Sequence, residues 1–287
     1  MTWQGWRLTY ELRSPLHIGY HKLGNVQRTR PYVPARNLWG AVTERLTRGG
    51  FSAAHAPEGD YRAIGAWVTA HCAFSYFFLC EGDTLLNPHY KDGKLCYGNF
   101  SPADFERRYL DAHVTTALDA HTTSAEDASL HEVEFIAPHW LDDADSVKRT
   151  QVRGGLFLDE TAQARQTEIQ ERLRDLHIGG ERRYGFGQLR QVCWQETPIL
   201  EECPVILDGE RPGIEVAQDK ALLAHTLTPG VDARGQIEPL VGRETLRSHT
   251  FGHNLTAARV CWTPGAVLAS AAVLEIAPDG CWRSPGR

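Results

Sequence analysis

The chain has 287 residues and a mass of 32.1 kDa, enough for two average domains or one enlarged domain. With 42% hydrophobic and 23% charged residues it holds ample material for a core, which excludes wholesale disorder. Its net charge of −6 excludes a protein that coats nucleic acid indiscriminately.

The charge is unevenly placed. Residues 1–50 hold Arg7, Arg13, Lys22, Arg28, Arg30, Arg36, Arg45 and Arg48 against only Glu11 and Glu44, a surplus of +6. The remaining 237 residues, at −6 minus +6, therefore carry −12. A basic N-terminal part is suited to phosphate and an acidic remainder to a basic or protein neighbour. The N-terminus lacks the apolar run of a signal peptide, and no window approaches the about 18 consecutive apolar residues of a membrane span, so a cytoplasmic protein without membrane contact is expected. Seven cysteines without a Cys-x-x-Cys pair signal neither a disulfide framework nor a zinc ribbon, and read as buried thiols.

In chain order, Trp6, Leu8, Tyr10 and Leu12 alternate with Arg7, Thr9, Glu11 and Arg13, the period of a half-buried strand that Ser14-Pro15 ends. Tyr20 to Val33 reads as a polar loop with four basic side chains, His21, Lys22, Arg28 and Arg30. Pro34 suits a first helical turn, and Leu38, Val42 and Leu46 stripe a helix that Gly49-Gly50 stops. Ile64 to Leu79 reads as a buried helix running into a strand, and Ser101-Pro102 with acids behind them as the start of a short helix through Tyr109. Residues 113–137 suit two strands around a polar hairpin, His121 to Ser129. Thr161 to His177 is expected as one helix with Ile169, Leu173 and Leu176 on its buried face, and Gln188 to Trp194 as a strand. Beyond Pro198 short segments rich in proline and glycine follow, with strands expected at 259–262 and 266–276. A boundary is placed near 195.

Between the expected helix and the strand lies Gly179-Gly-Glu-Arg-Arg-Tyr-Gly-Phe-Gly187. Glycines let backbone amides approach an anion and adopt positive φ, and Arg182 and Arg183 supply forked donors to phosphate. A nucleotide-binding loop would follow a strand and open a helix with other spacings, whereas this order suits gripping a polynucleotide backbone.

Four blocks together resemble a known family. Leu16-His-Ile-Gly19 resembles the block that ends the first strand of the CRISPR-associated RAMP proteins, and Tyr32-Val-Pro-Ala-Arg-Asn-Leu-Trp-Gly-Ala-Val42 the segment that follows it. Ala117-Leu-Asp-Ala-His-Thr-Thr-Ser-Ala-Glu-Asp-Ala-Ser-Leu130, with Glu134 after it, resembles their internal hairpin segment, and Gly179 to Gly187 their glycine-rich loop. The blocks occur in the family's order over residues 6–194. Ala35 and Arg36-Asn37 stand where Gly-Ser-Ser is usual, and Thr115 where a basic residue often precedes Ala-Leu-Asp.

The resemblance implies an α+β fold with a ferredoxin-like βαββαβ core over 1–195, enlarged by an insertion at about 50–150. A C-terminal part, 196–287, would be β-rich or a second ferredoxin-like unit. It also implies a subunit that binds CRISPR guide RNA within a multisubunit interference complex. Tyr20 to Val33 contains no Asp or Glu, so a divalent ion there would lack its hard oxygen ligand and the chain is expected to be non-cleaving, without a cofactor or metal. The length beyond the glycine loop resembles the cap subunit of type III complexes, which holds the guide's 5′ tag and contacts the large subunit and other RAMP subunits, meeting target RNA indirectly. A backbone RAMP subunit is the alternative placement.

The residues expected to hold RNA are His21, Lys22, Arg28, Arg30 and Arg36 from the first loop and Gly179, Gly180, Arg182, Arg183, Tyr184, Gly185 and Gly187 from the second. Exposed rings among Tyr32, Trp39, Tyr184 and Phe186 could stack an unpaired base. The rival reading is a metal-independent guide-processing endoribonuclease, with His21 and Lys22 as catalytic residues and His17 nearby. A protein-only scaffold is a third. His249 and His253 have a zinc-like spacing, but Gly252 interrupts any helix between them and no cysteine pair completes four ligands.

Overall fold

The computed structural model of the chain describes residues 2–52, 60–117, 121, 124, 129–197, 199–244 and 254–286. Its first strand, β1 (Trp3–Leu12), buries Trp3, Trp6, Leu8, Tyr10 and Leu12. It is the central strand of the main sheet, with Gln151–Asp159 on one side (Leu8 opposite Gly154) and Gln188–Glu196 on the other (Leu8 opposite Trp194). Thr9, on the expected polar side, is buried too, as befits a strand flanked on both edges.

The segment expected as a polar loop is a β-hairpin, β2 (Gly19–Leu23) and β3 (Val26–Thr29), followed by β4 (Tyr32–Val33). Leu23 opposite Val26 leaves a two-residue turn in which Gly24 takes φ 57°. The sequence reading missed it because β3 is held from far along the chain, by a parallel neighbour, His131–Ile136 (Glu132 opposite Val26). With Leu110–Thr115 this makes a small four-stranded sheet whose edges are Leu110–Thr115 and β2.

The helix α1 (Ala35–Arg48) follows, with Pro34 just before its first turn and Leu38, Val42 and Leu46 buried. In α2 (Tyr61–His71) Asp60 caps the Arg62 and Ala63 amides at 2.9 and 3.2 Å, and the chain runs directly into β5 (Cys72–Phe74) and β6 (Phe77–Glu81). Both strands pair antiparallel with Gln151–Asp159, so the part outside the main sheet begins only after the short strand Thr84–Leu85. Ser101 caps α3 (Pro102–Tyr109), as its Ser-Pro signature predicts.

The expected helix over 161–177 is shorter and broken. Glu160–Gln163 and Gln166–Arg172 are helical, and Asp175–His177 is a strand against Gln188–Arg190, with Leu176 opposite Leu189. Leu176 is buried as the stripe required, but by sheet pairing, which overrides helical propensity here. The glycine loop therefore joins two antiparallel strands.

In space the main sheet runs Asp175–His177, Gln188–Glu196, β1, Gln151–Asp159, β6, β4. After Glu196 the described residues form strands and no α-helix, mostly in a second large sheet that includes Gly213–Val216, Ala272–Ile276, Thr226–Leu227, Arg259–Trp262 and Ile237–Leu240. The described residues of this part are thus β-rich and include no α-helix of the kind a second ferredoxin-like unit carries. Buried side chains of both parts, Trp3 and Phe77 with Leu222 and Trp282 among them, belong to one continuous core.

Candidate nucleic-acid interface

The segment between β1 and β2, Pro15–Ile18, is the hub of the site. Leu16 exchanges two backbone hydrogen bonds with Ile136 (3.1 and 2.8 Å), and the Ile18 amide donates to Thr29 Oγ1 at 2.8 Å, so the small sheet hangs from this segment. From the other side the glycine loop closes on it: the Gly187 amide donates to the Pro15 carbonyl at 2.7 Å and the Gly180 amide to the His17 carbonyl at 2.9 Å.

Three of the four glycines are explained by this closeness. A Cβ on Gly179 (φ 87°) would run into the His17 carbonyl, one on Gly187 (φ 85°) into the Ile178 carbonyl, and one on Gly180 would press on the His17 ring. Gly185 (φ 84°) faces open space. With Glu181, also left-handed at φ 55°, it brackets a 3-10 turn, Arg182–Tyr184, closed by Tyr184 N–H to Glu181 O at 2.9 Å and Gly185 N–H to Arg182 O at 3.1 Å. This turn is the tip that the packed glycines hold out to solvent.

At the tip the three side chains differ. Arg182 Nη1 lies 2.6 Å from Glu44 Oε2 of α1. Arg183 is exposed and has no ion pair among the described residues, and Tyr184 is 68% exposed. Phe186 is buried, its ring edge-on to Phe135 of the small sheet at 5.4 Å, which ties the loop to that sheet directly.

On the small sheet, His21 and Lys22 are exposed on β2 without ion pairs among the described residues. Arg28 is engaged, with Nε 3.2 Å from Glu134 Oε2 and Nη2 3.5 Å from Glu106. Glu134 also accepts the Thr29 amide at 2.9 Å, and its carbonyl meets His17 Nδ1 at 2.6 Å. His17 is thereby buried and bonded between strand and loop, whereas His21 is exposed.

Arg30 is not with the exposed group. Its Nη2 donates to Glu238 Oε1 of the C-terminal sheet at 2.7 Å and its Nη1 to the Tyr32 hydroxyl at 2.8 Å. Burial works against its charge, but Tyr32 and Glu238 more than compensate and raise its pKa. Glu238 also bonds His225 Nε2, and His225 Nδ1 meets the Tyr76 hydroxyl at 2.8 Å. Burial lowers the pKa of His225, which favours the neutral ring, and would raise that of Glu238, but the His225 bond and the Arg30 charge hold Glu238 down at about 2. Arg36 is half-buried, its guanidinium packed at Gly242. Of the rings that could stack a base, Tyr32 is buried and Trp39 is half-buried, donating to Thr69 Oγ1 at 3.0 Å, which leaves Tyr184.

The structure therefore brings Arg183 and Tyr184 to one exposed tip and His21 and Lys22 to the edge of a sheet built on the same hub. The residues that sequence reasoning missed are the acids that occupy the other arginines: Glu44, Glu106, Glu134 and Glu238. No local signal marks them, since each lies in a different element from its arginine. Among the described residues no three His, Cys, Asp or Glu side chains gather as metal ligands do, and His249 and His253 lie outside the described residues. No described helix is long and apolar enough to cross a membrane, and the seven cysteines are free thiols, six of them buried.

No curated protein matches the chain. Among solved structures, it is similar to a chain in a cryo-EM structure of type III-B Cmr-beta bound to cognate target RNA and AMPPnP in state 1. That match has a TM-score of 0.57 and 11% identity and covers 91% of this chain and 85% of the other. A chain in the cryo-EM structure of type III-B Cmr-beta bound to cognate target RNA matches with a TM-score of 0.55 and 10% identity, over 91% of this chain and 86% of that one. At such identities the likeness is one of fold. The RAMP superfamily matches residues 9–190, which run from β1 through the hub, the small sheet and the glycine loop, and the chain belongs to that superfamily.

Proposed function

We propose that the chain is a non-catalytic guide-RNA-binding subunit of a type III CRISPR interference complex, holding the guide's 5′ tag as a cap. In this reading residues 1–195 are a ferredoxin-like RAMP core and 196–287 a β-rich extension toward the large subunit and neighbouring RAMP subunits. The sheet order supports the core assignment: Gln188–Glu196, β1, Gln151–Asp159 and β5/β6 are all antiparallel neighbours, with helices between the first and second and between the third and fourth of these strands in chain order. Membership of the RAMP superfamily and the likeness to chains of target-RNA-bound type III-B assemblies support the complex.

The observation that carries the reading is the exposed pair Arg183 and Tyr184 on a backbone-locked turn, together with a sheet edge, built on the same hub, that bears His21 and Lys22. A guanidinium without an ion pair among the described residues, one open ring, an imidazole and the Lys22 ammonium fit an unpaired polynucleotide strand. The endoribonuclease reading would use His21 with His17 as its neighbour, and the burial of His17 against Glu134 removes that second imidazole from solvent.

Binding of single-stranded RNA carrying the 5′ tag, measured over a range of salt, tests this. The full chain binds with affinity that falls with salt, and Arg183→Ala lowers the slope of log affinity against log salt by about 0.7, one phosphate on a single strand. Salt-independent binding, or an unchanged slope in the variant, overturns the reading.

A further inference from the structure

From the geometry around Arg30 we infer a second contact, resting on the RNA-binding reading above: Tyr20 is a stacking platform for one unpaired RNA base. Tyr20 lies on the edge strand β2 and is 49% exposed. The Arg30 guanidinium covers its ring at 4.6 Å from the centroid, so the exposed surface is the opposite face and the rim. Exposed tyrosines on edge strands are common, but this one has a fixed support. Arg30 is held by the Tyr32 hydroxyl and by Glu238, Glu238 by His225, and His225, wholly buried, by the Tyr76 hydroxyl.

That chain of bonds runs from Tyr76, between β5 and β6 of the main sheet, through His225 and Glu238 of the C-terminal part to the back of one exposed ring. A ring held in place binds a flat partner with little ordering cost. The partner's chemistry is set by what surrounds it. His21, whose ring is 6.1 Å from that of Tyr20, and Lys22 follow directly on the strand, both exposed and without ion pairs among the described residues. A flat face beside an exposed imidazole and a lysine ammonium fits a base with its phosphates, and the base must be unpaired, since a duplex already stacks its own. Glu238 is then a positioning residue, acting on RNA through Arg30 and Tyr20.

The test is the affinity of the full chain for the same single-stranded RNA at fixed salt. Tyr20→Ala is expected to weaken binding roughly 5- to 150-fold, the range of one base–aromatic stack, with an unchanged salt slope because no charge is lost. Tyr20→Phe keeps the affinity. Glu238→Gln weakens binding in the presence of Tyr20 and adds nothing to Tyr20→Ala, a non-additivity that general destabilisation would not produce. Binding by Tyr20→Ala within twofold of the parent, while Arg183→Ala still loses its salt slope, overturns the platform and leaves the RNA-binding reading intact. A parent chain without salt-dependent affinity removes both.

Discussion

The hairpin β2–β3, with the Arg30 that follows it, and the glycine loop both read as arginine-rich anion grips, yet they are held in place by different forces. Beyond its strand pairing with His131–Ile136, the hairpin segment is tied down by charge: Arg28 to Glu134 and Glu106, and Arg30 to Glu238 across to the C-terminal sheet. The glycine loop is fixed by backbone, with Gly179, Gly180 and Gly187 packed against Pro15–Ile18 and Ile178, and carries one ion pair at its surface. In both, arginines that look available in the sequence are bound to acids of the chain itself. The difference predicts what each segment is sensitive to, acid and charge reversal for one and added side-chain atoms for the other.

The largest effect is expected where charge is buried. Arg30→Ala leaves Glu238 next to His225 without its cation, and removing one member of such a pair costs about 3–5 kcal/mol of stability. Acid attacks the same pair. Glu238 ionises at about 2 when folded against an ordinary 4.5, so its contribution is complete above pH 4.5 and is lost as pH falls toward 2. Denaturant unfolding at several pH values should show a steep loss of stability over that window in the parent and a flatter one in Glu238→Gln, which has nothing to titrate there. Parallel profiles would mean that charge does not hold the hairpin.

For the loop, substitution of glycine separates packing from conformation. Gly187→Ala must accept a positive φ and a Cβ against the Ile178 carbonyl, for an expected loss of about 3 kcal/mol. Gly185→Ala meets only the positive φ, at about 1 kcal/mol. Thermal melts of the two variants rank them, and equal melting temperatures would contradict the packing account.

Much of this architecture is legible in the residue pattern. The alternation of Trp6 to Leu12, the stripe of α1 and the Ser101-Pro102 cap each depend on neighbours in sequence, and each is found where it was read. The hairpin and the strand Asp175–His177 depend on partners far away, His131–Ile136 and Gln188–Arg190, and a local pattern cannot contain them. The same holds for the site. Gly179 to Gly187 stands out as a special loop because glycine is needed there, but three of its glycines answer to the chain's own carbonyls and the His17 ring. Net charge by segment shows where arginines are, and only the fold shows that Glu44, Glu134 and Glu238 reach them.

The smallest effect sharpens the comparison most. Arg182 and Arg183 are adjacent and chemically identical, and differ in that Arg182 reaches Glu44 at 2.6 Å while Arg183 reaches no acid among the described residues. The Arg182 pair is partly solvated, with 37% and 21% of its side chains exposed, so its loss should cost no more than about 1 kcal/mol. If a guanidinium must be free to meet phosphate, Arg182→Ala should also leave the salt slope of RNA binding nearly unchanged, where Arg183→Ala lowers it. Releasing Arg182 by Glu44→Gln then becomes the informative variant: a steeper slope than the parent's would show that the ion pair withholds a cation from RNA. A slope lowered as much by Arg182→Ala as by Arg183→Ala would show that Arg182 leaves Glu44 when RNA arrives, and that the ion pair does not decide which arginine binds.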